Sequence, residues 1–125
     1  FEPPYSLPLS YLYEPNAAIL KAGAFNSLAC KLAVFKLHKH THLYTSKIAV
    51  DFPGRCFKIE KTLNFNSKTL KKEKILKANI STRNFPIRAE AIKKKFKIHD
   101  GGSVYLFFTT DLNNHKIVIV TSKIK

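Results

Sequence analysis

A chain of 125 residues with 45% hydrophobic and 12% aromatic content can bury one core, which excludes both a disordered chain and a pair of full-sized domains. Its formal charge of +14 predicts attraction to polyanions such as RNA, DNA or an anionic membrane. No apolar run approaches the roughly 20 residues that cross a bilayer, and no targeting segment is visible.

The sequence contains no methionine and opens on Phe1. Both features suggest a C-terminal piece of a longer polypeptide. Phe1 to Pro8 holds Pro3, Pro4 and Pro8, residues that cannot donate to a ladder and disfavour helix, so it reads as an extended linker or docking arm. Residues 9–125 read as the folded domain. Leu9–Tyr13 reads as a short strand. Pro15 or Asn16 then starts a helix that stops at Gly23, a natural residue for a helix end. A second helix, capped by Asn26 or Ser27, would run to about Val34 and bury Phe25, Leu28, Leu32 and Phe35 on one face. A single long helix through Gly23 is the alternative.

Leu37 to Ala49 reads as a loop entering a strand near His42–Ile48. Asp51-Phe52-Pro53-Gly54-Arg55 is a turn. Cys56–Phe65 reads as a strand with Phe57, Ile59 and Lys61 on one side. Asn66 or Ser67 caps a helix from Lys68 to about Lys77 with a thin stripe of Leu70, Ile75 and Leu76. Ile80–Phe85 is a strand ended by Pro86. Arg88–Lys97 is a helix with Ala89, Ile92 and Phe96 facing inward. After a turn at Asp100-Gly101-Gly102, Val104–Thr110 and Lys116–Thr121 form a hairpin. The unbroken Ile117-Val118-Ile119-Val120 implies a strand covered on both faces. Strand–helix–strand–helix–strand over Cys56–Thr110 makes two crossovers, and the last hairpin adds an antiparallel strand. The fold class is therefore α+β, a mixed sheet with helices packed against it.

The charge is uneven. Residues 1–65 carry eight Lys/Arg against four Asp/Glu, and residues 66–125 carry fourteen against four. Lys68, Lys71, Lys72 and Lys74 spread around one short helix, while Lys93, Lys94, Lys95 and Lys97 crowd the end of another. A helix C-terminus needs only one or two cations. Arg83 and Arg88 flank Asn84-Phe85-Pro86. Lys68, Lys71, Lys72, Arg83, Arg88, Lys93, Lys94 and Lys97 are the candidate phosphate contacts of a nucleic-acid surface, with Phe85 expected in the core rather than stacked on a base. A membrane surface would need a strong apolar face beside the charge, which the first of these helices lacks.

His38, His40 and His42 alternate as metal ligands on a strand would, but Lys36 and Lys39 stand among them and no carboxylate is near in sequence, so an exposed polar edge is expected. There is no Gly-x-Ser-x-Gly, no Cys-x-x-Cys and no glycine-rich phosphate loop. With eight acidic residues and none plausibly paired, no catalytic, cofactor-binding or metal-binding residue is assigned. Cys30 and Cys56 are expected as free, mostly buried thiols, as suits a cytoplasmic protein.

Tyr11-Leu12-Tyr13-Glu14-Pro15 followed by Ala17-Ala18-Ile19-Leu20-Lys21-Ala22-Gly23 resembles the start of the THUMP-like domain that follows a class I S-adenosylmethionine-dependent methyltransferase domain in a bacterial family. His42-Leu43-Tyr44-Thr45-Ser46, Asp51-Phe52-Pro53-Gly54-Arg55, Ile80-Ser81-Thr82-Arg83-Asn84-Phe85-Pro86 and Asp100-Gly101-Gly102 resemble the version found in Bacteroidetes. The resemblance implies an RNA-binding accessory domain of a cytoplasmic methyltransferase, acting on ribosomal or transfer RNA. S-adenosylmethionine would belong to the upstream catalytic domain and not to these residues. Tyr11, Tyr13 and Glu14 then stand as interdomain or core contacts at the joint. A second reading is a structural or protein-interaction domain that stabilises the catalytic domain without touching RNA.

Overall fold

A computed structural model describes residues 3–18 and 30–124. Nine elements follow in order: β1 (Tyr11–Pro15), β2 (Phe35–His38), β3 (Thr41–Ser46), β4 (Gly54–Asn64), α1 (Ser67–Lys72), β5 (Lys77–Arg83), α2 (Ala89–Phe96), β6 (His99–Thr110) and β7 (Lys116–Lys123). The strands form one sheet in the order β2-β3-β1-β4-β7-β6-β5. All neighbours are antiparallel except β5 and β6, which run parallel because α2 crosses over between them. The fold is a mixed-sheet α+β architecture, as the alternation of patterns implies.

β7 lies between β4 and β6, so its two faces have different partners. Val118 and Val120 join Leu106, Phe108 and Ala78 beneath Leu70 of α1 and Ile92 of α2. Ile117 and Ile119 point the other way, into a cluster with Leu12, Leu37, Leu43, Phe57 and Phe107. That second cluster draws on β1, β2, β3, β4, β6 and β7, so the sheet must curl around it. The curl brings β3 to β5, second and last in the order. Thr41 Oγ1 donates to the Thr110 carbonyl at 3.1 Å, and Asn84 Nδ2 donates to Thr41 Oγ1 at 3.2 Å. A third cluster, Tyr13, Val34, Tyr44, Phe52 and Cys56, backs the N-terminal strands.

Several boundaries differ from the sequence pattern. Residues 35–38, expected at a helix end and a loop, form β2, and Phe35 pairs with Thr45 of β3. The helix face expected at Phe25 and Leu28 lies outside the described residues; Cys30 and Lys31 are helical, and Ala33 at φ 58 ends that segment. In β4 a register shift between Ile59 and Lys61 reverses the side chains. Phe57 and Ile59 face the second cluster, but Lys61 emerges on the helical side and pairs with Glu73 at 2.6 Å. α1 is shorter than its lysine run: Asn66 caps it by accepting from the Thr69 amide at 2.7 Å, and Lys74 at φ 54 follows its end. Gly101-Gly102 sits inside β6 as a bulge, where the register jumps from Ala78↔Asp100 to Asn79↔Tyr105 and Asn79 Nδ2 holds the Gly102 carbonyl at 3.0 Å.

The proline-rich arm lies along β2. The Lys36 amide donates to the Pro4 carbonyl at 2.8 Å and the Ser6 amide to the Lys36 carbonyl at 3.0 Å. Among the described residues no helix is long and apolar enough to cross a membrane.

Candidate functional site

The ends of α1 and α2 converge. Beyond α1 the chain turns back at Lys74 into Ile75 and Leu76 before entering β5; beyond α2 it turns at Lys97, also at φ 54, into Ile98 and β6. The two turns are tied by the His99 amide, which donates to the Leu76 carbonyl at 2.9 Å. Between them lies a cleft of about 430 Å³ lined by Leu70, Lys71, Lys74, Ile75, Leu76, Phe96, Lys97 and Ile98. Leu70 and Ile98 are buried, Phe96 is half-buried, and Leu76 is 73% exposed. Lys71, Lys74 and Lys97 are exposed at the rim. Lys95 Nζ sits 5.6 Å from the centre of the Phe96 ring, within cation–π range. Among the described residues no carboxylate lies within ion-pair reach of the three rim lysines. The cleft thus pairs an apolar floor with unanswered positive charge.

The other sequence candidates distribute differently. Lys97 is shared with a second, shallower cleft of about 630 Å³ that also takes in Lys93, Lys94, Glu90, His99 and Asp100. There Lys93 donates to Asp100 at 2.8 Å, and that hydrogen bond holds its pKa above the ordinary lysine value. Lys68 and Lys72 are exposed on α1 outside both clefts, and Arg88 stands at the opposite end of α2. Phe85 packs edge-on against Phe65 and Phe108 at 5.0 and 5.6 Å, inside the core beneath the helices.

Arg83 belongs elsewhere. It closes β5 and reaches across the curled sheet to Glu14 Oε2, while Arg55 Nε holds Glu14 Oε1 at 2.6 Å. Glu14 and Arg55 are register partners on β1 and β4. The Glu14 side chain is 13% exposed, against 36% for Arg55 and 39% for Arg83. Arg55 also spreads over Phe57 and Tyr105, 5.2 and 5.9 Å from the ring centres. These residues line a cleft of about 500 Å³ with Pro15, Asn16, Ala17, His42 and Gly54. Gly54 permits the close pairing: at φ 152, a Cβ there would fall 2.0 Å from the Glu14 carbonyl oxygen. His42 has its pKa lowered by burial first and then by the charges of Lys36 and His40.

Tyr13 is spent within this chain. It is buried, stacks on Phe52 at 5.1 Å, bonds Ser46 Oγ at 2.7 Å and accepts the Val50 amide at 3.1 Å. Tyr11 packs beside it under Lys58, whose Nζ lies 5.5 Å from the ring centre. The three histidines do not share a strand face. His38 ends β2, His40 is in the turn, and His42 is on β3. His38 is held by Asn114 Oδ1 at 2.7 Å and accepts the His40 amide at 2.9 Å. Among the described residues no group of three metal-ligating side chains forms. Cys30 and Cys56 are free thiols, and burial pushes the Tyr44 phenol well above its ordinary pKa.

Sequence reasoning missed Lys74, Leu76 and Phe96 as parts of one cleft, and Arg55 as a partner of Glu14. For the first, the sequence pattern counts the Ile75-Leu76 pair into the helix stripe, whereas the helix ends at Lys72 and leaves the pair beyond it. The second had no local signal, since its members lie on three strands.

Residues 11–53 match the model of a ferredoxin-like domain family, and residues 54–123 match that of a THUMP domain-like family. No curated protein sequence matches the chain. Among solved structures, the crystal structure of a "putative methyltransferase" from Porphyromonas gingivalis W83 is 37% identical with a TM-score of 0.91, matched over 100% of this chain and 32% of its own. The chain therefore spans about a third of that protein's length.

Proposed function

The chain belongs to the THUMP domain-like family, and from that premise we propose that it is the RNA-binding accessory domain of a class I, Bacteroidetes-type S-adenosylmethionine-dependent methyltransferase that acts in the cytoplasm. The observation that carries the reading is the cleft between α1 and α2, where Lys71, Lys74 and Lys97 meet without a carboxylate partner among the described residues. The similar solved protein, named for methyl transfer and about three times as long, supports a catalytic partner in the same polypeptide.

Gly54, Gly101 and Gly102 offer the methyl donor no open backbone cradle. Gly54 is closed off by the Glu14 carbonyl, and Gly101 and Gly102 face the Lys77 side chain rather than an open helix N-terminus. On this reading the cofactor site belongs to the catalytic part. This domain would hold ribosomal or transfer RNA by its backbone and present it there.

Titration of a labelled RNA hairpin at two salt concentrations tests the reading. With three phosphate contacts, at Lys71, Lys74 and Lys97, raising salt from about 50 to 200 mM should weaken binding by roughly 40-fold. The chain alone should transfer no methyl group. Absence of binding at the lower salt overturns the RNA reading and leaves a domain whose role is to stabilise its catalytic partner.

A further inference from the structure

The α1/α2 cleft is built for more than phosphate. Among the described residues Leu76 is one of few large apolar side chains left exposed, and the most exposed of those after Ile48. It stands beside half-buried Ile75 and Phe96, within the ring of Lys71, Lys74 and Lys97. Lysines that served solubility alone would need no apolar floor between them. The volume, about 430 Å³, lies in the range of pockets that accept small organic groups, about 300–1,000 Å³.

A duplex cannot use such a floor. In A-form RNA the bases are stacked inside, and the surface offers phosphates, 2′-hydroxyls and base edges but no base face. Only an unpaired nucleotide can turn its base toward Leu76 and Phe96 while its flanking phosphates meet the lysines. We propose that this cleft is a binding site for an unpaired nucleotide of RNA, with the base seated against Leu76 and Phe96 and the adjoining phosphates on Lys71, Lys74 and Lys97. The proposal rests on the RNA reading above and specifies which part of the RNA is gripped.

The site is positioned by the fold and not by loop adaptation. The Leu76 carbonyl is fixed by the His99 amide, and the Ile98 amide donates to the Lys93 carbonyl at 2.9 Å, closing the end of α2. The floor therefore precedes the ligand, which lowers the ordering cost of binding.

Fluorescence anisotropy decides it, with one labelled 12-nucleotide RNA of mixed sequence used single-stranded and as its blunt duplex. The single strand should bind at least about five-fold more tightly than the duplex, from one stacked base. Leu76→Ser should erase that preference by weakening the single strand at least about five-fold. The substitution lies at an exposed position, and an unchanged melting temperature verifies that the fold is intact. Equal affinity of wild-type protein for both forms, or a preference that survives Leu76→Ser, overturns the proposal and leaves the RNA reading standing. Failure to bind either form at low salt overturns both.

Discussion

Two basic sites share this molecule, and they differ in whether their charge is answered. At one end of the curled sheet, Arg55 and Arg83 converge on a single carboxylate, Glu14, that is largely withdrawn from water. At the other, Lys71, Lys74 and Lys97 converge on Leu76 and Phe96 with no such carboxylate among the described residues. The first arrangement consumes its cations internally. A guanidinium held by a part-buried carboxylate is committed to the fold, since separating the pair strands a charge. The second leaves its cations available to a polyanion. Clustering of basic residues along the sequence does not distinguish these cases; the position of eight carboxyl-bearing side chains does.

The comparison also bears on how the chain is divided. The two family matches meet between Pro53 and Gly54. Yet β1 pairs with β4 across that boundary through five residue pairs, from Tyr11↔Lys58 to Pro15↔Gly54. Glu14 comes from the first segment and both its arginines from the second. The paired cluster fastens one segment to the other. The unpaired cluster lies wholly within the second.

The largest effect expected concerns the unpaired site. Replacing Lys71, Lys74 and Lys97 together by Gln should weaken RNA binding on the order of 50-fold at moderate salt. Because the three are exposed, the melting temperature should move by no more than about 2 °C. A large fall in melting temperature, or unchanged RNA affinity, would break the distinction between the sites.

Glu14→Gln should do the reverse. It removes the shared acceptor of two charged hydrogen bonds while keeping the shape. Since both arginines remain partly solvated, the expected loss is about 2 kcal/mol, less than for a fully buried pair. That corresponds to a fall of roughly 5–10 °C on thermal denaturation. RNA affinity should not fall. If Arg83 is instead a phosphate contact, Glu14→Gln would raise RNA affinity by releasing it, and Arg83→Gln would lower it; the paired assignment requires neither.

A smaller change sharpens the same contrast from the other side. Asn66 caps α1 and so sets where Lys71 begins to approach the cleft. Asn66→Ala should cost about 1 kcal/mol of stability. Helical content read by circular dichroism should drop only slightly, because α1 has six residues. An effect near zero would show that packing of Leu70, not the cap, holds the helix.

Much of the second half was legible in the sequence because its signals are local. Ile117-Val118-Ile119-Val120 announced a strand covered twice, and Asn66 and Ile92 announced a cap and an inward helix face. The first half was less so. β2 is only four residues long, and its Phe35 continued a helical spacing from Leu28 and Leu32. Nothing local says that Lys36 will be tied on one side to Pro4 and on the other to Tyr44. The shift at Glu60 is similarly invisible to a period-two count, yet it sends Lys61 to the opposite face. Site residues follow the same rule. The lysines could be named from their density, but which of them meet depends on two helix ends being brought together by β5 and β6. Arg83 was legible as basic and illegible as paired, because Glu14 is 69 residues away in sequence.

The smallest effect concerns pH, and it too separates the sites. His42 lines the cleft of Glu14, and its folded pKa lies below the ordinary 6.5 because of burial, then Lys36 and His40. The unfolded chain takes up a proton at that position near 6.5, whereas the folded one does so only at lower pH. Between the two values the unfolded state binds more protons, so its share grows as pH falls. Stability contributed by the neutral imidazole is therefore complete above about 6.5 and is lost progressively below it, down to the folded pKa. Melting temperature should decline from pH 7.5 toward pH 5.5, and His42→Asn should flatten that slope. The α1/α2 cleft is lined by no histidine, so RNA affinity of the folded protein should stay level over the same interval. A slope unchanged by His42→Asn would assign the acid sensitivity to another group. An affinity that rises sharply below pH 6.5 would place a histidine in the RNA contact and erase the division between a site that holds the fold and a site proposed to hold RNA.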